Sequence, residues 1–140
     1  MKKRVILIAI GLIFASCTAL ADRFVPEFSK MKTIKCNIEE TIYSQDNSVI
    51  TQNTYFRIFN LDDENKKLYL QKSPVYKTTY YDIDKLEFTL QHLTDDFIML
   101  SSVSIDRSNG NYKSESCITY DNSIFGVRKA VGVGTCSPIN

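Results

Sequence analysis

The sequence has very few of the residues from which metal sites and nucleophilic active sites are built. It contains one histidine, His92, and no two of its four cysteines have the C-x-x-C spacing of a zinc site. Chemistry between cysteine and histidine would also need a free, activated thiol, which an oxidising compartment disfavours. We therefore expect His92 to be an ordinary strand-end residue, and we predict no catalytic, cofactor-binding or metal-binding residue.

Long runs of one charge and low-complexity tracts are also missing. The chain has 17 Lys and Arg against 16 Asp and Glu, and three of these cations, Lys2, Lys3 and Arg4, stand at its start. The remainder is therefore slightly acidic. Because nucleic-acid binding normally requires a basic patch, this balance excludes nucleic acid as the expected partner.

No apolar run is long enough to span a membrane. The run at residues 5–14 is about half of the roughly 20 residues that a spanning helix needs. It lies between the cationic start and an ALA cleavage pattern, which is the layout of a secretory signal peptide. We expect residues 1–21 to be removed, leaving a single β domain of residues 22–140 that is periplasmic or secreted. The alternative is a lipoprotein anchored through Cys17, because the FASC stretch resembles a lipoprotein signal.

A sustained helical period is absent, and the dominant period is two. Residues 86–91 read LEFTLQ, in which apolar and polar side chains alternate as in a half-buried strand. Similar runs predict further strands at residues 34–42, 54–60, 67–71, 77–83, 97–106, 112–120 and 127–135. A single helical turn is expected at residues 26–31. Short connections favour an antiparallel meander of about eight strands, forming a small barrel-like or strongly twisted sheet.

Glycines mark the sharpest changes of direction. Asn109-Gly110 is the clearest hairpin turn, because Asn and Gly tolerate the positive φ that such a turn needs. Gly126, Gly132 and Gly134 lie in or beside the last predicted strand. At such positions glycine indicates a bulge, a bend or a close backbone approach, as at a barrel corner.

Three cysteines remain in the predicted mature chain, and an exported chain is expected to form a disulfide. We predict a bond between Cys36 and Cys136, because Cys36 lies on an apolar strand face and the bond would join the first strand to the last. The rival is a bond between Cys117 and Cys136, which a hairpin near Gly126 would favour. The rival is less favoured, because Cys117 shares its strand face with polar side chains. Under the predicted pairing, Cys117 is free or bonded between molecules.

Acidic clusters and tyrosines are the other candidates for function. Acidic residues cluster at residues 62–64, 82–84 and 95–96, where a calcium site or a glycosidase pair is conceivable. We expect them instead to stabilise turns through local hydrogen bonds. Tyr76 and Tyr80 belong to a tyrosine-rich stretch that would offer contact area to a protein or a sugar if exposed. Strand propensity alone also favours tyrosine there.

The order of features supports a resemblance to known exported proteins. A signal peptide, an early strand with Cys36, SIDRSNG at residues 104–110 and GVGTC at residues 132–136 follow one another. This arrangement resembles small exported β-rich bacterial proteins of unassigned function. More distantly, the chain is similar to periplasmic lysozyme inhibitors, which are small disulfide-tied β-barrels and often lipid-anchored; their Ser-Gly-x-Gly stretch is not present here.

These observations lead to three hypotheses of function. The first is a non-enzymatic periplasmic protein that binds another protein or a component of the cell envelope. The alternative is a lipocalin-like carrier of a small apolar ligand, and the third is a hydrolase. A carrier requires an internal cavity lined by apolar strand faces. A binder requires a filled core with an exposed aromatic surface, and a hydrolase requires a cleft with convergent carboxylates.

Overall fold

Strands make up most of the structure. The computed structural model describes residues 27–120 and 127–139; the predicted signal peptide with its cleavage site, Cys17 and Gly126 lie outside them. A 3-10 turn, Phe28–Lys30, precedes the strands β1 (Lys32–Tyr43), β2 (Val49–Asp62), β3 (Lys67–Leu70), β4 (Ser73–Pro74), β5 (Lys77–Tyr81), β6 (Lys85–Leu93), β7 (Phe97–Asp106), β8 (Asn111–Tyr120) and β9 (Val127–Ile139). The predicted all-β fold is confirmed, and each predicted strand overlaps an observed one. The two-residue strand β4 was not predicted.

All nine strands form one antiparallel sheet in the order β4-β3-β2-β1-β9-β8-β7-β6-β5. Neighbours in this order are consecutive in the chain except at one place, where β1 pairs with β9. The first and last strands therefore lie side by side in the middle of the sheet. The sheet is curled into a half-barrel whose outermost strands are β4 and β5. The predicted barrel-like meander is thus confirmed, and the sheet opens between β4 and β5 rather than between its first and last strands.

The hydrophobic core fills the concave face of the half-barrel. In β8, every second residue from Tyr112 to Ile118 is buried and the residues between them are exposed, as strand alternation requires. Phe59 of β2 and Phe88 of β6 meet edge to face, with ring centroids 5.3 Å apart. Because β2 and β6 are well separated in the sheet order, the concave face must be curled tightly enough to pack on itself. The buried core cluster consists of Cys36, Ile38, Phe59, Leu61, Leu68, Leu86, Phe88, Leu90, Val103, Ile105 and Tyr112.

The predicted disulfide is present and joins the two central strands. Cys36 and Cys136 are directly opposite in the pairing of β1 with β9, and their Sγ atoms are bonded. Cys36 is completely buried on the concave face. Cys117 is exposed and reduced, and it lies opposite Lys129, seven residues along β9 from Cys136. The rival pairing of Cys117 with Cys136 is therefore wrong, because the two residues do not lie opposite each other in the pairing of β8 with β9.

Two glycines are required by close backbone approaches. Gly110 has a φ of 79° in the turn between β7 and β8, and a Cβ there would collide with the carbonyl oxygen of Cys136. Its N–H donates to Asp106 at 2.7 Å, and its carbonyl accepts from the Cys136 N–H at 2.6 Å. A Cβ on Gly134 would collide with the carbonyl oxygen of Asn37. The predicted turn at Asn109-Gly110 and the close approach at Gly134 are both confirmed.

Candidate functional site

One end of the half-barrel is held together by a cluster of charged and phenolic groups around Asp63, which we call the clasp. Arg107 donates from Nη1 to Asp63 Oδ1 at 2.9 Å and from Nη2 to Oδ2 at 3.2 Å. Tyr81 donates from its hydroxyl to Asp63 Oδ1 at 2.7 Å, and Lys32 Nζ lies 3.0 Å from Oδ2. Arg107 also donates to the carbonyl oxygen of Asp82 at 3.1 Å. The clasp thereby joins the start of β1 to three turns that are remote in sequence.

The electrostatics of the clasp follow from this geometry. The bonds that Arg107 donates hold the pKa of Asp63 well below its usual range, and Tyr81 and Lys32 add to the effect against the opposing effect of burial. Burial, followed by the bond to Asp63, raises the pKa of Tyr81. The bonds to Asp63 raise the pKa of Arg107. The carboxylate therefore stays ionised and bonded, which suits a structural role better than proton transfer.

A pocket of about 970 Å³ lies at the same end of the half-barrel, and we call it the end pocket. Its floor is apolar and includes Ile34, Leu61 and Ile105, of which the last two belong to the buried core. Its rim is formed by the 3-10 turn, the turn between β7 and β8 and the end of β9, and it includes the clasp residue Arg107. The end pocket thus combines an apolar floor with a polar rim, the usual composition of a binding site.

A second group of polar side chains lies on the concave face of β1 and β2, farther from the clasp. Tyr55 donates from its hydroxyl to Glu40 Oε2 at 2.9 Å, and the Cζ of Arg57 lies 5.3 Å from the centroid of the Tyr55 ring. Burial raises the pKa of Tyr55 to about 12, with the positive charge of Arg57 opposing and the bond to Glu40 adding to the rise. The Nε atom of Arg57 is buried and has no hydrogen-bond partner among the described residues. This is the one described side chain whose buried polar atom is left unpaired.

His92 lies near the end of β6, is exposed, and contacts the ring of Phe97 at a centroid distance of 5.8 Å. The acidic clusters lie at turns, as predicted from their sequence context, at residues 62–64, 82–84 and 95–96, although Asp62 is still the last residue of β2. Within residues 27–120 and 127–139, no group of three or more His, Cys, Asp or Glu side chains is placed to hold a metal ion. Among the described residues, no ion pair or hydrogen bond joins His92 to any of these carboxylates.

The tyrosines divide between core and surface. Tyr69 and Tyr112 are buried, and Tyr69 stacks edge to face with Phe28 at 5.2 Å. Tyr76 and Tyr80 are exposed beside and on the outermost strand β5, whereas Tyr81 takes part in the clasp. The two exposed rings are compatible with a contact surface, but strand propensity accounts for the buried ones.

Comparison with known proteins finds no match among family models, curated proteins or solved structures. Within the described part of the chain, no helix is long and apolar enough to cross a bilayer. The disulfide is consistent with an oxidising compartment. Function must therefore be argued from the end pocket and the surface alone.

The sequence analysis predicted neither the clasp nor the second polar group on the concave face of β1 and β2. Asp63 was interpreted as a turn residue, but its partner Arg107 lies 44 residues away in sequence. No local pattern relates the two residues, because their contact depends on the curl of the whole sheet. The alternation in β2 does place Tyr55 and Arg57 on the face of Phe59, and this signal could have identified the second polar group.

Proposed function

We propose that this chain is an exported, non-enzymatic protein that binds another protein or a component of the cell envelope through the end pocket. The observation that supports this proposal is the apolar floor of the pocket, which reaches the core at Leu61 and Ile105 but remains open at the rim. An apolar side chain or acyl group of a partner would gain free energy by entering it, because apolar surface is removed from water.

The filled interior supports surface binding over enclosure. The rings of Phe59 and Phe88 meet across the half-barrel and occupy the space that a lipocalin-like carrier would keep free for its ligand. A partner can therefore reach the apolar floor only from the end. At that end, the clasp holds Asp63 in bonds to Arg107, Tyr81 and Lys32, so this carboxylate is a rigid part of the rim.

Export to the periplasm, with cleavage after Ala21, is part of the same proposal. The cationic start, the apolar run and the ALA pattern support it. The mass of the mature chain tests it, since cleavage leaves Asp22 at the N-terminus, whereas a lipoprotein would begin with a lipid-modified Cys17. Detection of a diacylglyceryl group on Cys17 would mean that the mature product is an anchored lipoprotein and not a soluble protein.

Blocking the end pocket tests the binding proposal. Ser137 is exposed and lines the pocket, so Ser137→Trp should fill it without disturbing the core. Thr119→Trp, on an exposed position of β8 away from the pocket, is the matched control. Crosslinking in envelope extract, followed by mass spectrometry, should recover the same partner with the native chain and Thr119→Trp, and at least tenfold less with Ser137→Trp. Equal recovery by all three would contradict the proposal. Inhibition of a lysozyme is the first activity to assay, given the sequence resemblance.

A small-molecule carrier is the second candidate, and the size of the end pocket favours it. Its volume of about 970 Å³ lies at the upper end of the range for small-molecule sites, roughly 300–1,000 Å³. Native mass spectrometry of the protein purified from its own envelope distinguishes the candidates. A bound apolar molecule that Ser137→Trp displaces would support the carrier, and a protein crosslink without such a molecule would support the binder.

A further inference from the structure

The described strands leave several stretches of edge unpaired, and these stretches differ in how they are protected. The outermost strand β4 has only two residues and ends in Pro74. The other outermost strand, β5, has five residues, begins with Lys77 and carries a bulge between Thr78 and Tyr80. Short length, proline, lysine and bulges are the devices by which proteins prevent edge strands from pairing with other chains.

The longest unpaired edge among the described strands belongs to β2. A bulge at Ile50 lies near its start, and residues 51–57 have none of these devices. The last four residues of β2 pair with β3, but residues 49–57 pair with β1 on one side and with no described strand on the other. Their sequence, VITQNTYFR, contains no proline, glycine, lysine or acidic residue. Val49, Ile50 and Phe56 in this stretch are 55%, 43% and 52% exposed. A long edge that carries little charge and exposes large apolar side chains is a template for pairing with another strand.

The backbone of this edge is oriented for such pairing. The N–H of Gln71 donates to the carbonyl oxygen of Ile58 at 3.1 Å, so the backbone groups of Ile58 point away from β1. Because strand residues alternate in direction, Gln52, Thr54 and Phe56 direct their N–H and C=O groups to the same side. None of these groups has a strand partner in the part of the chain that the structure describes.

We infer that residues 49–57 pair antiparallel with the same residues of a second copy of this chain, which joins two half-barrels into one continuous sheet. A two-fold axis at Asn53 brings residues 51–55 of the two copies into register, between the bulge at Ile50 and the start of the pairing with β3. Thr54 then hydrogen-bonds with the partner's Gln52, and the partner's Thr54 does so with Gln52. In this register, the outward-directed backbone N–H and C=O groups of Gln52 and Thr54 all form hydrogen bonds in both copies.

The side chains favour a second copy over an unrelated strand. In this register, the exposed Val49-Ile50 end of one strand lies beside the partner's Phe56, so the exposed apolar side chains of the edge cover one another. Arg57 is the only charged residue in the stretch, and it lies near the Val49-Ile50 end of the partner's strand. The two arginines lie at opposite ends of the paired segment, so no like charges face each other.

Sedimentation analysis of the mature chain tests this inference. The native chain should have twice the mass of one chain at micromolar concentration. Thr54→Pro removes the outward N–H, which β1 does not use, and proline is tolerated at such edge positions. It should raise the dissociation constant about 10- to 100-fold, because one hydrogen bond is lost in each copy. Thr54→Val keeps the N–H and is the matched control, expected to dimerise like the native chain.

A charge-swap pair tests the register and does not depend on the proline. Asn53 is exposed and lies on the axis, so Asn53→Lys and Asn53→Glu each place like charges opposite each other and should be monomeric. A mixture of the two variants should form the mixed dimer. A native chain that remains monomeric at millimolar concentration would overturn the inference. So would a Thr54→Pro chain that dimerises as tightly as the native chain, or a failure of the charge variants to pair when mixed.

Discussion

The bond between Cys36 and Cys136 connects the two central strands, and its removal should cause a large loss of stability. The perturbation is the double variant Cys36→Ala/Cys136→Ala. Both side chains are short, and alanine leaves no buried polar group behind. Cys117→Ala is the matched control, because this thiol is exposed and unbonded.

The magnitude follows from the sequence separation of the bond, which is 100 residues. In the chain-entropy description, a bond that closes a loop of about this size removes unfolded-state entropy equivalent to roughly 4.7 kcal/mol at 25 °C. Domains of this size are typically stable by about 5–15 kcal/mol. The double variant should therefore lose between a third and nearly all of its free energy of unfolding. The control should change by less than about 0.5 kcal/mol.

Urea unfolding followed by far-ultraviolet circular dichroism measures these differences, since the chain has no tryptophan. Native chain, reduced native chain and both variants are compared at the same pH. Reduced native chain and double variant should agree closely, because both lose the same loop constraint. If the double variant lost less than about 2 kcal/mol of its free energy of unfolding, and the slope of that free energy against urea concentration were unchanged, the entropic reasoning would be refuted.

Three further predictions concern the clasp, the core and the turn at Gly110. Arg107→Ala should lower the free energy of unfolding by about 1–2 kcal/mol near pH 6, a value reduced for the partial exposure of Asp63. The folded-state pKa of Asp63 lies below its unfolded value of about 4, so its stabilisation is present above pH 4 and is lost as the pH falls through the folded value. Urea titrations should accordingly show a smaller loss between pH 4 and pH 2 in Asp63→Asn than in the native chain, and an equal loss would contradict the clasp. Phe88→Ala should lower the free energy of unfolding by about 3–5 kcal/mol, whereas the exposed control Ile83→Ala should lower it by less than about 0.5 kcal/mol. Similar urea midpoints for the two variants would count against a packed concave face. Gly110→Ala should lower the melting temperature through a cost of about 1–3 kcal/mol, because of its positive φ and the nearby carbonyl of Cys136; an unchanged melting curve would disprove this requirement.

The period of two was sufficient to predict most of the strands and the face on which Cys36 lies. Alternation is a local property, and it predicts strand positions wherever one face is buried. It failed for the first half of β2, because residues 49–53 are exposed on both faces and show no alternation of polarity. The predicted strand therefore began at residue 54, whereas the observed strand begins at Val49.

The candidate site could be predicted much less well than the strands. The end pocket and the clasp combine groups from β1, β2, β5, β7, β9 and several turns, and their meeting depends on how tightly the sheet curls. Alternation states which face a side chain lies on, but it carries no information about the curvature of that face. Curvature is set by contacts such as that between Phe59 and Phe88, which lie 29 positions apart in the sequence.

The central position of the pairing between β1 and β9 has a consequence for the order in which the molecule can be assembled. Under the proposed export, β1 would cross the membrane first and β9 last, so β1 would keep one edge unpaired until synthesis and export are almost complete. During this interval Cys36 could react with Cys117, because Cys117 precedes Cys136 in the chain. A bond between Cys36 and Cys117 would be the expected premature product, and it would have to be exchanged before Cys136 could bond to Cys36. Formation of the native protein in the cell should accordingly depend on a thiol–disulfide isomerase, and replacement of Cys117 by alanine should remove that dependence.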